Sequence, residues 1–236
     1  MIGFKQQAHR WTKGGFQTAI KLLPGILRSK HLSRRVKTEA FFHLTNTLVY
    51  PLMVLLTLLM YPTFFNLLSP FERNTWGQYI FSATLFILAT CSASTFFIFG
   101  QRELFGREAG WRSLIYLPIL MGLGVGISLN NTKAVIEALF HKPSEFARTP
   151  KYGVEGRADD WATKKYRQSV AVQPLIEVGL GLYFTATLFY ALANGIYGTV
   201  PFLMLFQVGF LYTGLLSIVQ QFGGDLDFKP VVSKRA

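Results

Sequence analysis

The sequence is short of charge, of cysteine and of acidic residues. Only 15% of its 236 residues are charged, against roughly a quarter in ordinary soluble domains. Polar cover for a soluble globule of this length is therefore lacking. A lone cysteine, Cys91, excludes an internal disulfide. Twelve Asp and Glu stand against 24 Lys and Arg, a net charge of +12. Such a balance fits nucleic acid, anionic lipid or a membrane-topology signal, and position must decide among them. The four histidines, His9, His31, His43 and His141, fall in separate segments without metal-ligand spacing. No secretory signal is visible, because a basic segment of some 40 residues precedes the first apolar block. Internal repeats and low-complexity tracts are also missing.

What is present is hydrophobic length. Half of the residues are apolar, and they gather into five blocks near 41–68, 79–100, 113–129, 173–194 and 197–222. A helix needs ~20 apolar residues to cross a bilayer. The first block holds Pro51 and Pro62, which bend a spanning helix without forbidding it. The third is the shortest. It carries Pro118 and the glycines Gly122, Gly124 and Gly126, then runs into the amphipathic NNTKAVIEALF. Trp76, Tyr79 and Tyr197, near block ends, read as an aromatic belt.

Charge decides which blocks span. If all five cross, the 24 basic residues divide evenly, 12 to a side. If the third block lies in the interface or re-enters on the same side, 23 of the 24 share the cytoplasmic face and only Arg73 lies outside. The positive-inside rule selects the second arrangement. The expectation is an all-α integral membrane protein with about four transmembrane helices, both termini cytoplasmic. The charge is then explained by membrane topology, without nucleic acid. Residues 16–39 mix apolar and basic positions; Ile20, Leu23, Ile26 and Leu27 recur at helical spacing between Lys21, Arg28 and Lys30. That pattern predicts a helix on an anionic membrane surface, broken or kinked at Pro24-Gly25. Gly122 and Gly126 have the spacing of a close helix contact. Glu177 lies one turn into a predicted spanning helix, where an ionised group is costly; a structural and a channel role both stay open.

Two motifs carry chemistry. Gln7-Ala8-His9-Arg10-Trp11 is a Q-x-x-R-W pattern. Arginine can grip a diphosphate with paired charge-assisted bonds. Tryptophan offers a flat face for a sugar ring, and glutamine can both donate to and accept from hydroxyls. An ordinary basic–aromatic pair at a membrane surface would look the same over five residues. With the following KTEAFFHLTNTLVYPL, however, the segment resembles the junction between catalytic domain and channel in processive family 2 glycosyltransferases, such as cellulose, mannan and hyaluronan synthases. The second motif, Phe146-Ala147-Arg148-Thr149-Pro150-Lys151, resembles the F-x-V-T-x-K gating loop of cellulose synthase, departing from it at Arg148.

The resemblance implies an activity and an organisation. Sugar would pass from a nucleotide sugar to a growing β-linked glycan or glycolipid at the inner (plasma) membrane. Trp11 would hold the acceptor, with Gln7 and Arg10 toward the donor diphosphate. Phe146, Thr149 and Lys151 would belong to a cytoplasmic loop that closes over the donor. In this scheme residues 1–40 are the end of the catalytic domain and an amphipathic interface helix. Residues 41–100 hold transmembrane helices 1 and 2, and 101–140 a cytoplasmic link with an interfacial or re-entrant helix. The gating loop occupies 141–172, transmembrane helices 3 and 4 occupy 173–222, and 223–236 form a cytoplasmic tail. The GT-A nucleotide-sugar domain, with its general base and its Mg or Mn ion, has no room here. In the family it precedes Q-x-x-R-W, which makes Met1 an apparent internal start. No catalytic residue or metal ligand is expected in this chain, and alone it should not transfer sugar. Asp225-Leu226-Asp227 and Asp159-Asp160 read as solvated acidic pairs. The sequon Asn130-Asn131-Thr132 falls on the cytoplasmic side and should be unused. The alternative is a non-catalytic polytopic membrane module or small transporter.

Overall fold

The computed structural model describes residues 1–64, 76–142 and 172–222, and every regular element among them is helical. Nine α-helices follow in order: α1 (Ile2–Arg28), α2 (Arg34–Thr45), α3 (Val49–Phe64), α4 (Trp76–Phe105), α5 (Arg107–Arg112), α6 (Leu117–Gly126), α7 (Ser128–Leu139), α8 (Gln173–Ala193) and α9 (Val200–Phe222). The protein is an all-α membrane protein of three to four spans by this measure. Three stretches are long and apolar enough to cross a bilayer: Arg34–Leu59, Gln173–Ala193 and Tyr197–Gln221. The bent pair Arg107–Gly126 and Ser128–Leu139 makes a fourth if it is counted as one span. α4, 30 residues long, measures about 45 Å at 1.5 Å per residue.

Local chemistry sets the helix ends. Ser33 caps α2, its hydroxyl accepting from the Val36 amide at 3.4 Å. Gly106 ends α4 with φ of +90°, a conformation that a Cβ would oppose. α8 stops at a Schellman turn: the Ile196 amide reaches the Ala191 carbonyl at 2.8 Å, and the Gly195 amide reaches Leu192 at 3.3 Å. α7 ends in the same way with His141 at φ +50°, where glycine would be the easier residue.

α8 and α9 form an antiparallel hairpin. Phe184 packs on Phe206 and Phe210, with ring centroids 5.1 and 6.1 Å apart, and Leu203 joins this fully buried core. α6 lies against α9, α7 against α1 and α3, and α1 also against α2. The predicted small-residue contact is present. A Cβ on Gly122 would stand 3.9 Å from Gly209, and one on Gly126 would overlap the Thr213 side chain and the Gly209 carbonyl.

α6, at 10 residues, rises about 15 Å, half the ~30 Å hydrocarbon core. The chain then bends by 45° into α7. With the preceding turns the first arm runs Arg107–Gly126, so the bent pair is either a broken span or the re-entrant segment expected of the third block. The break that is one of the two outcomes expected at Pro24-Gly25 is absent: α1 runs continuously through Pro24 to Arg28. Proline removes one backbone bond near the end of a 27-residue helix. Beyond it the turn still closes, the Ser29 amide bonding the Gly25 carbonyl at 3.0 Å.

Candidate functional site

The site is built on α1. Lys5, Thr12, Lys13, Phe16 and Ala19 are buried and form one face of the helix, turned toward α7. Gln7, Arg10 and Trp11 are spaced i, i+3, i+4 and so lie together on the opposite face. Trp11 is 72% exposed and Phe4, one turn before Gln7, is 48% exposed; Gln7 and Arg10 are half-buried. The predicted Q-x-x-R-W residues thus share one side of α1, with Trp11 outward and Gln7 and Arg10 partly covered. Phe146, Thr149 and Lys151 lie outside the described residues, and so do Asp159, Asp160, Asp225 and Asp227.

A buried polar cluster fixes the orientation of α1. Lys5 Nζ donates to Glu177 Oε2 of α8 in an ion pair, to Ser217 Oγ of α9 at 2.8 Å and to the Thr213 carbonyl at 3.3 Å. Gln173 Nε2 donates to the other Glu177 oxygen at 2.9 Å. From α7, Asn130 Nδ2 donates to the Lys5 carbonyl at 2.8 Å and to Asn131 Oδ1 at 3.0 Å. One turn further along, His9 Nε2 and Lys13 Nζ meet Glu137 at 3.3 and 3.2 Å. The Ile2 amide at the start of α1 donates to Gln220 Oε1 at 3.1 Å, so a side chain of α9 caps an otherwise orphan N–H.

Burial is the largest influence on His9 and lowers its pKa below the usual value. The Glu137 carboxylate opposes that shift, and Lys133 and Lys13 add to it. His9 is therefore held toward its neutral form.

Glu177 is fully buried and paired, joining α8 to α1, an arrangement that supports the structural role of the two left open by the sequence. Lys5, Gln173 and Ser217 gave no comparable signal; nothing in a linear pattern joins residues 172 positions apart. Asn130 and Asn131 are read as an unused sequon in the sequence, whereas in the fold they are buried with the Asn130 amide engaged by Lys5. Among the described residues no three His, Cys, Asp or Glu come together. This face carries an exposed indole, with a guanidinium at the preceding position and an amide one turn before it. No family model, curated protein or solved structure matches the chain.

Proposed function

We propose that this chain is the membrane and acceptor-binding portion of a processive-type family 2 glycosyltransferase. The parent enzyme would move sugar from a nucleotide sugar to a β-linked glycan or glycolipid at the inner membrane, with both termini of this chain cytoplasmic. One observation carries the reading. α1 is locked to the bundle through Lys5, Lys13 and Phe16, while its other face presents Gln7, Arg10 and Trp11 together. A rigidly held helix with an exposed Trp beside Arg suits an acceptor seat, because positioning is a large part of glycosyl-transfer catalysis. The loop bearing Phe146, Thr149 and Lys151 would close over the donor. The divalent cation and general base would come from the nucleotide-sugar domain.

The test is Trp11→Ala in the native polypeptide within its own membranes, scored by incorporation from labelled nucleotide sugars. Loss of elongation with normal membrane insertion is the expected result; retained elongation overturns the acceptor role. A second reading, a small transporter or non-catalytic module, draws on the Lys5–Glu177 pair, since ionisable groups inside membrane bundles often mark ion paths. Ion-dependent uptake abolished by Glu177→Gln, with no sugar incorporation in the parent, would favour it.

A further inference from the structure

A second feature of α1 lies on its carboxy-terminal half, away from the Trp11 surface. There α1, the end of α2 and the turn after it enclose an apolar groove of about 530 Å³, walled by Phe16, Ile20, Leu23 and Leu27 on one side and by Thr45 and Leu48 on the other. That volume is in the range of a single-ligand pocket, ~300–1,000 Å³. Between Phe16 and Arg28 it follows 12 residues of helix, about 18 Å at 1.5 Å per residue. One leaflet's acyl chain spans about 15 Å, half of the ~30 Å hydrocarbon core.

Two observations identify the occupant. First, Thr45 and Leu48 lie inside the candidate membrane span Arg34–Leu59, so one wall of the groove stands at the level of lipid. Second, the groove is apolar along its length and carries one cation, Arg28, at its end. Beyond Arg28 the turn into α2 adds exposed Lys30, Arg34 and Arg35, and Glu39, which pairs with Arg35, is the first acidic residue. A long apolar slot ending in a cationic rim is complementary to an acyl chain that ends in a phosphate.

We propose that this groove is a binding site for one anionic phospholipid. An acyl chain lies along α1 between Leu23 and Leu48, and Arg28 pairs with the phosphate. The lipid lies between α1 and the first candidate span, and so ties the helix bearing Trp11 to it. The site stands on the membrane character of the chain and is independent of the glycosyltransferase reading.

The experiment is native mass spectrometry of the detergent-purified chain after exposure to phosphatidylglycerol or phosphatidylcholine, with titration in nanodiscs for affinity. One phosphatidylglycerol retained per chain, in preference to phosphatidylcholine, is expected. Arg28→Gln, an exposed change that leaves folding intact, should weaken retention about tenfold, the effect of one charge-assisted bond. Leu23→Trp should fill the slot and abolish retention, while Lys21→Gln, on the same helix but outside the groove, should bind as the parent does. Equal retention of the two lipids, or unchanged binding in Arg28→Gln, overturns the proposal. Equal protection of the site by soluble glycerol phosphate would also overturn it, because the chain would then contribute nothing.

Discussion

Lys5 and Glu177, 172 residues apart in sequence, form a buried ion pair that joins the opening helix to the α8–α9 hairpin. Its partners saturate it: Ser217 and the Thr213 carbonyl on the lysine, Gln173 on the glutamate. Taking two charges out of water is costly, and the further hydrogen bonds to both partners offset part of the cost.

Removing one member should therefore be worse than removing both. Lys5→Met leaves Glu177 buried without its cation and should cost about 3–5 kcal/mol, whereas Lys5→Met with Glu177→Leu should come close to the parent. A double-mutant cycle by unfolding in mixed micelles measures the difference. Additive losses would show that the pair contributes no coupling.

α1 offers a comparison of two aromatic residues on one helix. Phe16 is 7% exposed and packs with Ala19, Val135 and Ala138. Phe16→Ala should destabilise by about 3–5 kcal/mol. Trp11→Ala, on the open face, should stay within about 0.5 kcal/mol. Thermal unfolding in detergent reads both values. A large loss in the Trp11 variant would mean that the surface is covered in the native protein.

Close helix approach predicts where a single methyl is harmful. A Cβ on Gly209 would overlap the Gly122 carbonyl, and one on Gly126 would strike the Gly209 carbonyl. Backbone cannot step aside cheaply, so Gly209→Ala and Gly126→Ala should each cost about 1–3 kcal/mol. Gly124 has nothing within 4 Å of the same position; Gly124→Ala should be neutral or slightly stabilising, as alanine favours the helix.

His9 makes stability sensitive to acid. Its pKa is lowered on folding, chiefly by burial, so below the unfolded value of ~6.5 the unfolded chain binds more protons. Stability from this group is present above that pH and declines as the pH falls toward the folded pKa. His9→Gln should flatten the slope of stability between pH 6.5 and lower pH. An unchanged slope would assign it to other groups.

Much of the architecture was legible in linear pattern. Block length and composition gave an all-helical membrane protein, and the third block, expected to stay at the interface or re-enter, is the one the fold bends. The Gly122 and Gly126 spacing marked a close helix contact, and the fold supplied its partner, α9. These features are legible because burial in lipid and helix periodicity act on neighbouring residues. The break expected at Pro24 did not appear, because a proline this close to the end of a helix sacrifices only one backbone bond.

Sequence alone determined that the chain enters a membrane, roughly where, and that Gln7, Arg10 and Trp11 would share a helical face. Only the tertiary structure decided which way that face points, since the opposite face of α1 is claimed by α7 and by Glu177 and Ser217 of the distant hairpin. Pairing a buried lysine with its carboxylate depends on the angles at which helices pack. Those angles arise from contacts between segments more than a hundred residues apart, and no local pattern records them.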